Sequence, residues 1–135
     1  MADGRQRGLL DTSVVIDIEN VESNLLPEQM LITAMSLAEL AAGPHATNDS
    51  AERARRQDRL QRTESTFESL SFDKEAARAY GRVYALELAG GRKARGGRAI
   101  DLMIAAVALS EGLPLYTRNP ADFHSLTSIV DIVSV

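Results

Sequence analysis

The stretch RAIDLMIAAVALSEGLPLYT, residues 98–117, joins the most apolar helix pattern in the chain to a strand pattern. Its spacing predicts a helix from about Arg98 to Ser110, ended by Gly112, and then a short strand over Leu113–Thr117. A helix followed closely by a strand is the repeating unit of parallel α/β folds. This stretch therefore favours an α/β chain.

Further strand and helix patterns alternate on the N-terminal side of this stretch, and one more strand pattern follows it. Helical stretches are predicted after Asp11, from Ser36 to Gly43, from Asp49 to about Phe67, and from Asp73 to Gly90. The remaining strands are predicted at Gly8–Asp11, Met30–Ala34, Glu68–Phe72 and Ile129–Val133. Strands separated by helices imply a mostly parallel central sheet with helices on both faces, a three-layer α/β/α arrangement. At 135 residues, we expect one domain over residues 1–135.

Composition narrows the class of protein further. The chain is 44% hydrophobic and has no cysteine, which excludes a disulfide scaffold, a thiolate nucleophile and cysteine-ligated zinc. The N-terminal sequence MADGRQRGLLD lacks the apolar segment of a signal peptide, and no apolar run is long enough for a membrane span. We therefore expect a cytoplasmic protein without a membrane partner.

The net charge of −4 does not by itself indicate a nucleic-acid partner, but the basic residues are unevenly distributed. Five arginines between residues 53 and 62 lie among the acids Glu52, Asp58 and Glu64, which is typical of a solvated helix face. A second cluster lies in the glycine-rich sequence GGRKARGG, which contains no acid. This second cluster is open to two interpretations, a solvated loop or a surface that contacts phosphate.

Four acids lie at the edges of predicted strands or in the first turns of predicted helices: Asp11, Glu39, Asp101 and Asp122. If such carboxylates meet, each like-charged pair at about 4 Å costs about 4 kcal/mol at an effective dielectric constant near 20. A bound divalent cation removes that cost and creates a hydrolytic site.

Each acid also has a structural interpretation. Asp11 is positioned to cap a helix, Glu39 completes the capping box Ser36-Leu37-Ala38-Glu39, and Asp122 falls in the first turn after Asn119-Pro120. Asp101 resists this explanation, because it shares a helix face with apolar residues three, four and seven positions later. A carboxylate on an inward face is costly unless it is paired or bound to a metal.

The ordered motifs LLDTSVVID, SLAELAAG, AIDLMIAAVA and LYTRNPADF resemble the PIN-domain ribonucleases, specifically the VapC-type toxins of type II toxin–antitoxin (VapBC) pairs. The resemblance covers Leu9 to about Phe123. It implies a PIN-like fold and a Mg²⁺-dependent endoribonuclease, with Mn²⁺ as a possible substitute, that cleaves structured RNA such as tRNA or rRNA. It also implies a homodimer and a cognate VapB-type antitoxin that neutralises the toxin.

On this hypothesis Asp11 and Asp101 are the principal metal ligands, and Glu39 and Asp122 complete the metal site. Thr117 and Asn119 orient water, and either Asn119 or Asp122 supplies the last group toward the metal. The candidate RNA-contacting residues are Arg92, Lys93, Arg95, Arg98 and Arg118.

Three other functions remain open at this stage. The first is a non-catalytic PIN-like module that binds RNA or protein. The second is a phosphohydrolase of small esters, against which the absence of a D-x-D pattern at Asp11 counts. The third is a pure interaction protein, which leaves Asp101 unexplained.

Overall fold

The computed structural model describes residues 6–92 and 96–135, which form five strands and five α-helices. The strands are β1 (Arg7–Leu10), β2 (Gln29–Thr33), β3 (Glu68–Leu70), β4 (Leu115–Thr117) and β5 (Ile132–Ser134). The helices are α1 (Thr12–Ile16), α2 (Ala34–Ala42), α3 (Ser50–Thr66), α4 (Lys74–Ala89) and α5 (Gly97–Glu111). A 3₁₀ segment, Pro120–Leu126, follows β4.

The strands form one sheet in the order β3-β2-β1-β4-β5, and every neighbouring pair is parallel. From the central strand β1 the chain adds β2 and β3 on one side, and then β4 and β5 on the other. The direction of winding therefore changes between β1 and β4. Binding sites in open parallel sheets form at such a switch point, beside the carboxyl ends of the strands.

Two apolar cores lie on opposite faces of the sheet, because successive side chains of a strand point to opposite sides. Leu9, Leu31 and Leu115 face the core that α4, α5 and the 3₁₀ segment cover. The next residue along each strand, which is Leu10, Ile32 or Tyr116, faces the core that α1, α2 and α3 cover. The predicted three-layer α/β/α arrangement is therefore confirmed.

Helix α5 matches the expectation from its sequence within one residue at each end. Gly112, at φ 66°, adopts the left-handed conformation that ends the helix. Ile104, Ala105 and Ala108 are fully buried, as the inward face of α5 requires. Among the described residues, no helix combines the length and the hydrophobicity that crossing a membrane demands.

The last strand differs from expectation, and one helix contains a buried acid. Strand β5 begins three residues later than predicted, since Ile129 and Val130 donate backbone hydrogen bonds to Leu126 and close the 3₁₀ segment. On α4, Tyr84 and Leu88 are 40% and 48% exposed, whereas Glu87 is fully buried. The inward stripe of α4 therefore contains an acid.

Candidate active site

Asp11 follows β1 directly and caps α1, so it lies at the carboxyl edge of the sheet beside β4. Its side chain is almost fully buried. The backbone N–H of Thr12 donates to Oδ1 at 2.9 Å, while the hydroxyls of Ser13 and Thr117 donate to Oδ2 at 2.9 and 3.0 Å. Helix capping and site formation are thus the same arrangement at this residue.

The direction of the two hydroxyl bonds to Asp11 is fixed by backbone groups. Ser13 Oγ accepts from the N–H of Arg118 at 3.2 Å, and Thr117 Oγ1 accepts from the N–H of Asn119 at 3.0 Å. Each hydroxyl hydrogen is therefore free to point at Asp11. A carboxylate offers about four lone-pair sites, so one site on Oδ1 remains for a further partner.

The pKa of Asp11 is raised despite these bonds. Burial raises it most, hydrogen bonds from Ser13, Thr117 and Thr12 lower it, and the charge of Asp122 raises it again. Ionisation of Asp11 is thus less favourable here than it is in water, even with three donors.

Glu39 lies on α2 and points across to α1. The hydroxyl of Thr12 donates to its Oε1 at 2.6 Å and also contacts Ser36 Oγ at 2.7 Å. The predicted capping box of Ser36 and Glu39 is wrong, because α2 begins two residues before Ser36 and its cap is Thr33, which accepts from the Ser36 N–H at 3.1 Å. Glu39 is therefore free of a capping role and is held at the site by Thr12.

Asp101 is the fifth residue of α5, at the end of its buried face, and its side chain is 30% exposed. Within residues 6–92 and 96–135, no donor forms a hydrogen bond with this carboxylate, and its one ion-pair partner is Arg98, with Nη1 3.8 Å from Oδ2. Burial and the charges of Asp11, Asp122 and Glu39 raise its pKa to about 6, against the opposing effect of Arg98. Asp101 thus combines partial burial with a single, distant ion-pair partner among the described residues.

Asp122 and Asn119 occupy the 3₁₀ segment and its entrance, and both are exposed. Asn119 makes no side-chain capping bond, and the N–H of Asp122 donates to its carbonyl at 3.0 Å. The charge of Asp122 acts on both Asp11 and Asp101. Which of Asn119 and Asp122 completes a metal site stays a prediction.

The four predicted acids converge on one region, since Asp11, Glu39 and Asp122 all act electrostatically on Asp101. They do not form a closed cage. Within the described ranges, no three Asp, Glu, His or Cys side chains stand close enough together to hold a metal ion by themselves. The donor set, carboxylate oxygens without cysteine, has the chemistry that Mg²⁺ prefers, and Mg²⁺ usually takes one or two carboxylates and keeps several waters.

The predicted RNA-contacting residues are placed differently from one another. Arg92 is exposed and reaches the carbonyls of Ala121 and Asp122 at 3.4 Å. Arg98 is only 17% exposed and is paired with Glu87. Arg118 lies 3.6 Å from Asp17 and donates to the Val135 carbonyl at 3.1 Å. Lys93 and Arg95 lie outside the described residues, and RNA contact stays a prediction for the whole set.

Ser13, Thr12 and Ser36 also belong to the site, although none of them is among the residues predicted for it. The first two follow Asp11 directly in the motif LLDTS, which is the signal that could have identified them. Hydroxyls one and two residues after an acid, at a strand-to-helix turn, are positioned to donate to that acid or to its neighbours.

Comparison with known proteins agrees with this fold. The family model of the PIN domain matches residues 8–127. The chain is 36% identical over 133 residues, 95% of each chain, to "Ribonuclease VapC5" of Mycobacterium tuberculosis (strain ATCC 25618 / H37Rv).

Two solved structures extend the comparison. The crystal structure of VapBC-5 from Mycobacterium tuberculosis, a member of the VapBC family of toxin-antitoxin systems, matches with a TM-score of 0.85 and 36% identity, covering 96% of this chain and 99% of that one. DNA-bound VapBC from Salmonella typhimurium matches with a TM-score of 0.74 and 27% identity, covering 93% and 96%.

A match that spans most of the chain, on a sheet with acids at its switch point, defines the class: this chain belongs to the PIN-domain family. Within that family it is similar to the VapC-type ribonuclease toxins.

Proposed function

We propose that this protein is a Mg²⁺-dependent endoribonuclease, the toxin of a toxin–antitoxin pair, which acts on structured RNA such as tRNA or rRNA in the cytoplasm. The family membership and the 36% identical relative named as a ribonuclease support the nuclease activity. The observation that carries the proposal is the position of Asp101 among three other acids, where Arg98, at 3.8 Å, is its one ion-pair partner among the described residues.

A cation at this site accounts for the arrangement of the acids. Three acids act on Asp101, and burial raises the cost of its ionised form further. A structure that retains such a cost usually does so for function, because perturbed ionisable groups concentrate at functional sites. Among the described residues, the cation that opposes the charge of Asp101 is Arg98, which lies 3.8 Å away and also pairs with Glu87.

The residues present fit Mg²⁺, and Mn²⁺ is a chemically similar substitute. When bound, the metal supplies Lewis-acid stabilisation of phosphoryl oxygens and lowers the pKa of a coordinated water. Asp11, through the lone pair that remains on Oδ1, and Asp101 would hold it. Glu39 and Asp122 would bind its waters, because both lie near enough to affect Asp101 yet the acids do not close into a direct cage.

The chain's own hydroxyls give the site its order before substrate arrives. Ser13 and Thr117 keep Asp11 from rotating, since both donate to one of its oxygens. Thr12 fixes the distance between α1 and Glu39. Pre-organised groups of this kind reduce the reorganisation that a hydrolytic step would otherwise require.

A neutralising antitoxin has a surface to bind beside the acids. A cavity of about 370 Å³ lies between α1, α2 and α3 and includes Glu39 in its wall, together with Ile16, Arg56 and Arg59. A segment lying there would cover Glu39. The VapBC complexes among the similar structures support a VapB-type partner, and a homodimer is proposed on the same resemblance.

The test is cleavage of a tRNA and rRNA mixture during a Mg²⁺ titration by the wild type, Asp11→Asn and Asp101→Asn. Both variants should lose cleavage by at least about 100-fold, an effect of the size expected when a group that stabilises the transition state is removed. Asp131→Asn, an exposed acid directly before β5 and therefore at the amino edge of the parallel sheet, away from the carboxyl edge of the cluster, is the matched control and should cleave normally.

Two results would reject the proposal. A wild-type protein that binds RNA tightly but never cleaves it, with or without Mg²⁺ or Mn²⁺, would favour the non-catalytic module. Full activity of either Asp variant would reject the assignment of the metal ligands.

A further inference from the structure

Glu87 is a fully buried acid that the proposed reaction does not use. It lies on the inward face of α4, where it accepts hydrogen bonds from Arg98 Nε on α5 and from Ser125 Oγ, the latter at 2.5 Å. Three separate elements therefore meet at one carboxylate: α4, the first turn of α5, and the 3₁₀ segment.

Both partners of this contact are charged. Burial alone would raise the pKa of Glu87, but the bonds from Arg98 and Ser125 and the charge of Arg98 outweigh it, so the pKa is lowered. Burial would lower the pKa of Arg98, and Glu87 raises it. A buried ion pair is seldom more stable than apolar residues of the same volume, so a pair in this place calls for a role other than stability.

The Arg98 guanidinium lies between Glu87 and Asp101 of the candidate site. Its Nη1 lies 3.8 Å from Asp101 Oδ2, and its Cζ lies 5.9 Å from the ring centroid of Phe123, the residue after Asp122. Arg98 Nη2 is buried and, among the described residues, has no hydrogen-bond partner. The rigid, planar guanidinium of Arg98, which belongs to the same helix as Asp101, thus lies near both Asp101 and the segment of Asp122 while Glu87 accepts from its Nε.

We propose that Glu87 and Arg98 are positioning residues that hold Asp101 and the segment carrying Asp122 at the spacing that metal binding requires. Glu87 acts through Arg98 on α5 and through Ser125 on the 3₁₀ segment, so a single buried carboxylate sets both. The inference rests on the proposed Mg²⁺-dependent function and assigns the residues that support its metal site.

Helix α4 offers a matched control on its own surface. Glu75 pairs with Arg78 at 2.9 Å, and these side chains are 64% and 68% exposed. Glu87→Gln and Glu75→Gln make the same chemical change on the same helix, one at the buried pair and one at the solvent-exposed pair.

The experiment measures Mg²⁺ binding by calorimetry and by the metal-dependent rise in melting temperature, together with kcat and KM for RNA. Removing a group that orients metal ligands typically weakens metal binding 10- to 100-fold. We expect Glu87→Gln to bind Mg²⁺ about tenfold more weakly and to lose kcat, with KM for RNA nearly unchanged, while Glu75→Gln matches the wild type.

Two milder variants test the inference if Glu87→Gln folds poorly. Ser125→Ala removes one bond to Glu87 and should weaken Mg²⁺ binding about two- to fivefold, in the same direction. Arg98→Lys keeps the charge but loses the planar fork, and it should fall between Ser125→Ala and Glu87→Gln in Mg²⁺ affinity.

The outcomes separate this inference from the proposed function. Mg²⁺ binding by Glu87→Gln and Ser125→Ala equal to that of the wild type overturns the positioning role alone. A rise in KM without any change in Mg²⁺ binding also overturns it, because Arg98 then acts on RNA. A wild type that neither binds Mg²⁺ nor cleaves RNA overturns both proposals.

Discussion

Asp11 and Asp101 lie in the same cluster of acids but are held in opposite ways. Asp11 is almost fully buried and accepts three hydrogen bonds, two of them from hydroxyls whose direction backbone groups determine. Asp101 is 30% exposed and has Arg98 at 3.8 Å as its ion-pair partner within the described residues.

The difference separates two requirements of a metal site. A ligand must be fixed in place, and hydrogen bonds at Asp11 do this whether or not a metal is bound. The site must also keep negative charge that the protein itself does not neutralise. Asp101 supplies such charge: burial and its acidic neighbours disfavour its ionisation and raise its pKa to about 6, and a cation would reverse that cost. The same Asp→Asn substitution at the two positions should therefore have opposite effects on stability.

The larger effect is expected from Asp11→Asn. Asn offers one acceptor oxygen and an NH₂ group, so the NH₂ must face either the Ser13 and Thr117 hydroxyls or the Thr12 N–H. A buried donor left without an acceptor costs about 1–3 kcal/mol. Loss of the charge that burial disfavours offsets part of this cost, since the pKa of Asp11 is raised. We therefore expect the free energy of unfolding to fall by about 2 kcal/mol. Urea unfolding in EDTA measures the change.

Thr117→Val and Ser13→Ala probe the same arrangement from the donor side. Each should lose about 1 kcal/mol, and together with Asp11→Asn they should lose less than the sum of the single changes, because the three groups share their bonds. Full additivity would mean that the hydroxyls do not hold Asp11.

Asp101→Asn should stabilise the metal-free protein. The pKa of Asp101 in the folded state, about 6, is above the ordinary aspartate value of 3.8, so the folded state binds the proton more tightly than the unfolded state. Stability from this group is therefore present below pH 4 and is lost as the pH rises from about 4 to about 6.

At pH 7 in EDTA, Asp101→Asn removes that loss and should raise the free energy of unfolding by about 1–2 kcal/mol, reduced from the full linkage value because the side chain is partly exposed. The gain should vanish at pH 3.5. A gain that is the same at both pH values would show that the ionised charge is not its cause.

The sequence predicts the sheet and the order of its helices because most strand patterns are apolar and most helices have a start or end signal. Gly112 and the cap Asp73 are examples, since one sits in the left-handed conformation and the other accepts from the Ala76 N–H. The predicted start of β5 is wrong because the apolar Ile129 and Val130 belong to a turn, where both donate to the Leu126 carbonyl, and their apolar character alone does not distinguish a turn from a strand.

The acids of the site could be identified from the sequence, but their partners could not. The S-x-x-E pattern at Ser36 and Glu39 predicts a capping box. The cap of α2 is instead Thr33, the last residue of β2, because the helix begins directly after the strand. Glu87 shares an α4 stripe with Ala76 and Val83, both fully buried, which is the same signal that singled out Asp101. Its partners Arg98 and Ser125 are 11 and 38 residues away, and only the folded chain brings them together.

The smallest effect is expected at Thr12, which connects the well-fixed Asp11 to Glu39. Its hydroxyl donates to Glu39 Oε1 at 2.6 Å, and Thr12→Val removes that bond while it keeps the shape of the side chain. Glu39 is only partly buried, so water can replace the lost donor, and we expect a change of about 0.5–1 kcal/mol in the free energy of unfolding. Cleavage should fall by about two- to fivefold, because Glu39 loses the hydroxyl that orients it. Thr12→Ser keeps the hydroxyl and should restore both quantities. If Thr12→Ser is as impaired as Thr12→Val, the methyl group rather than the bond to Glu39 is what the site needs, and the contrast between a fixed Asp11 and a charged Asp101 then does not extend to Glu39.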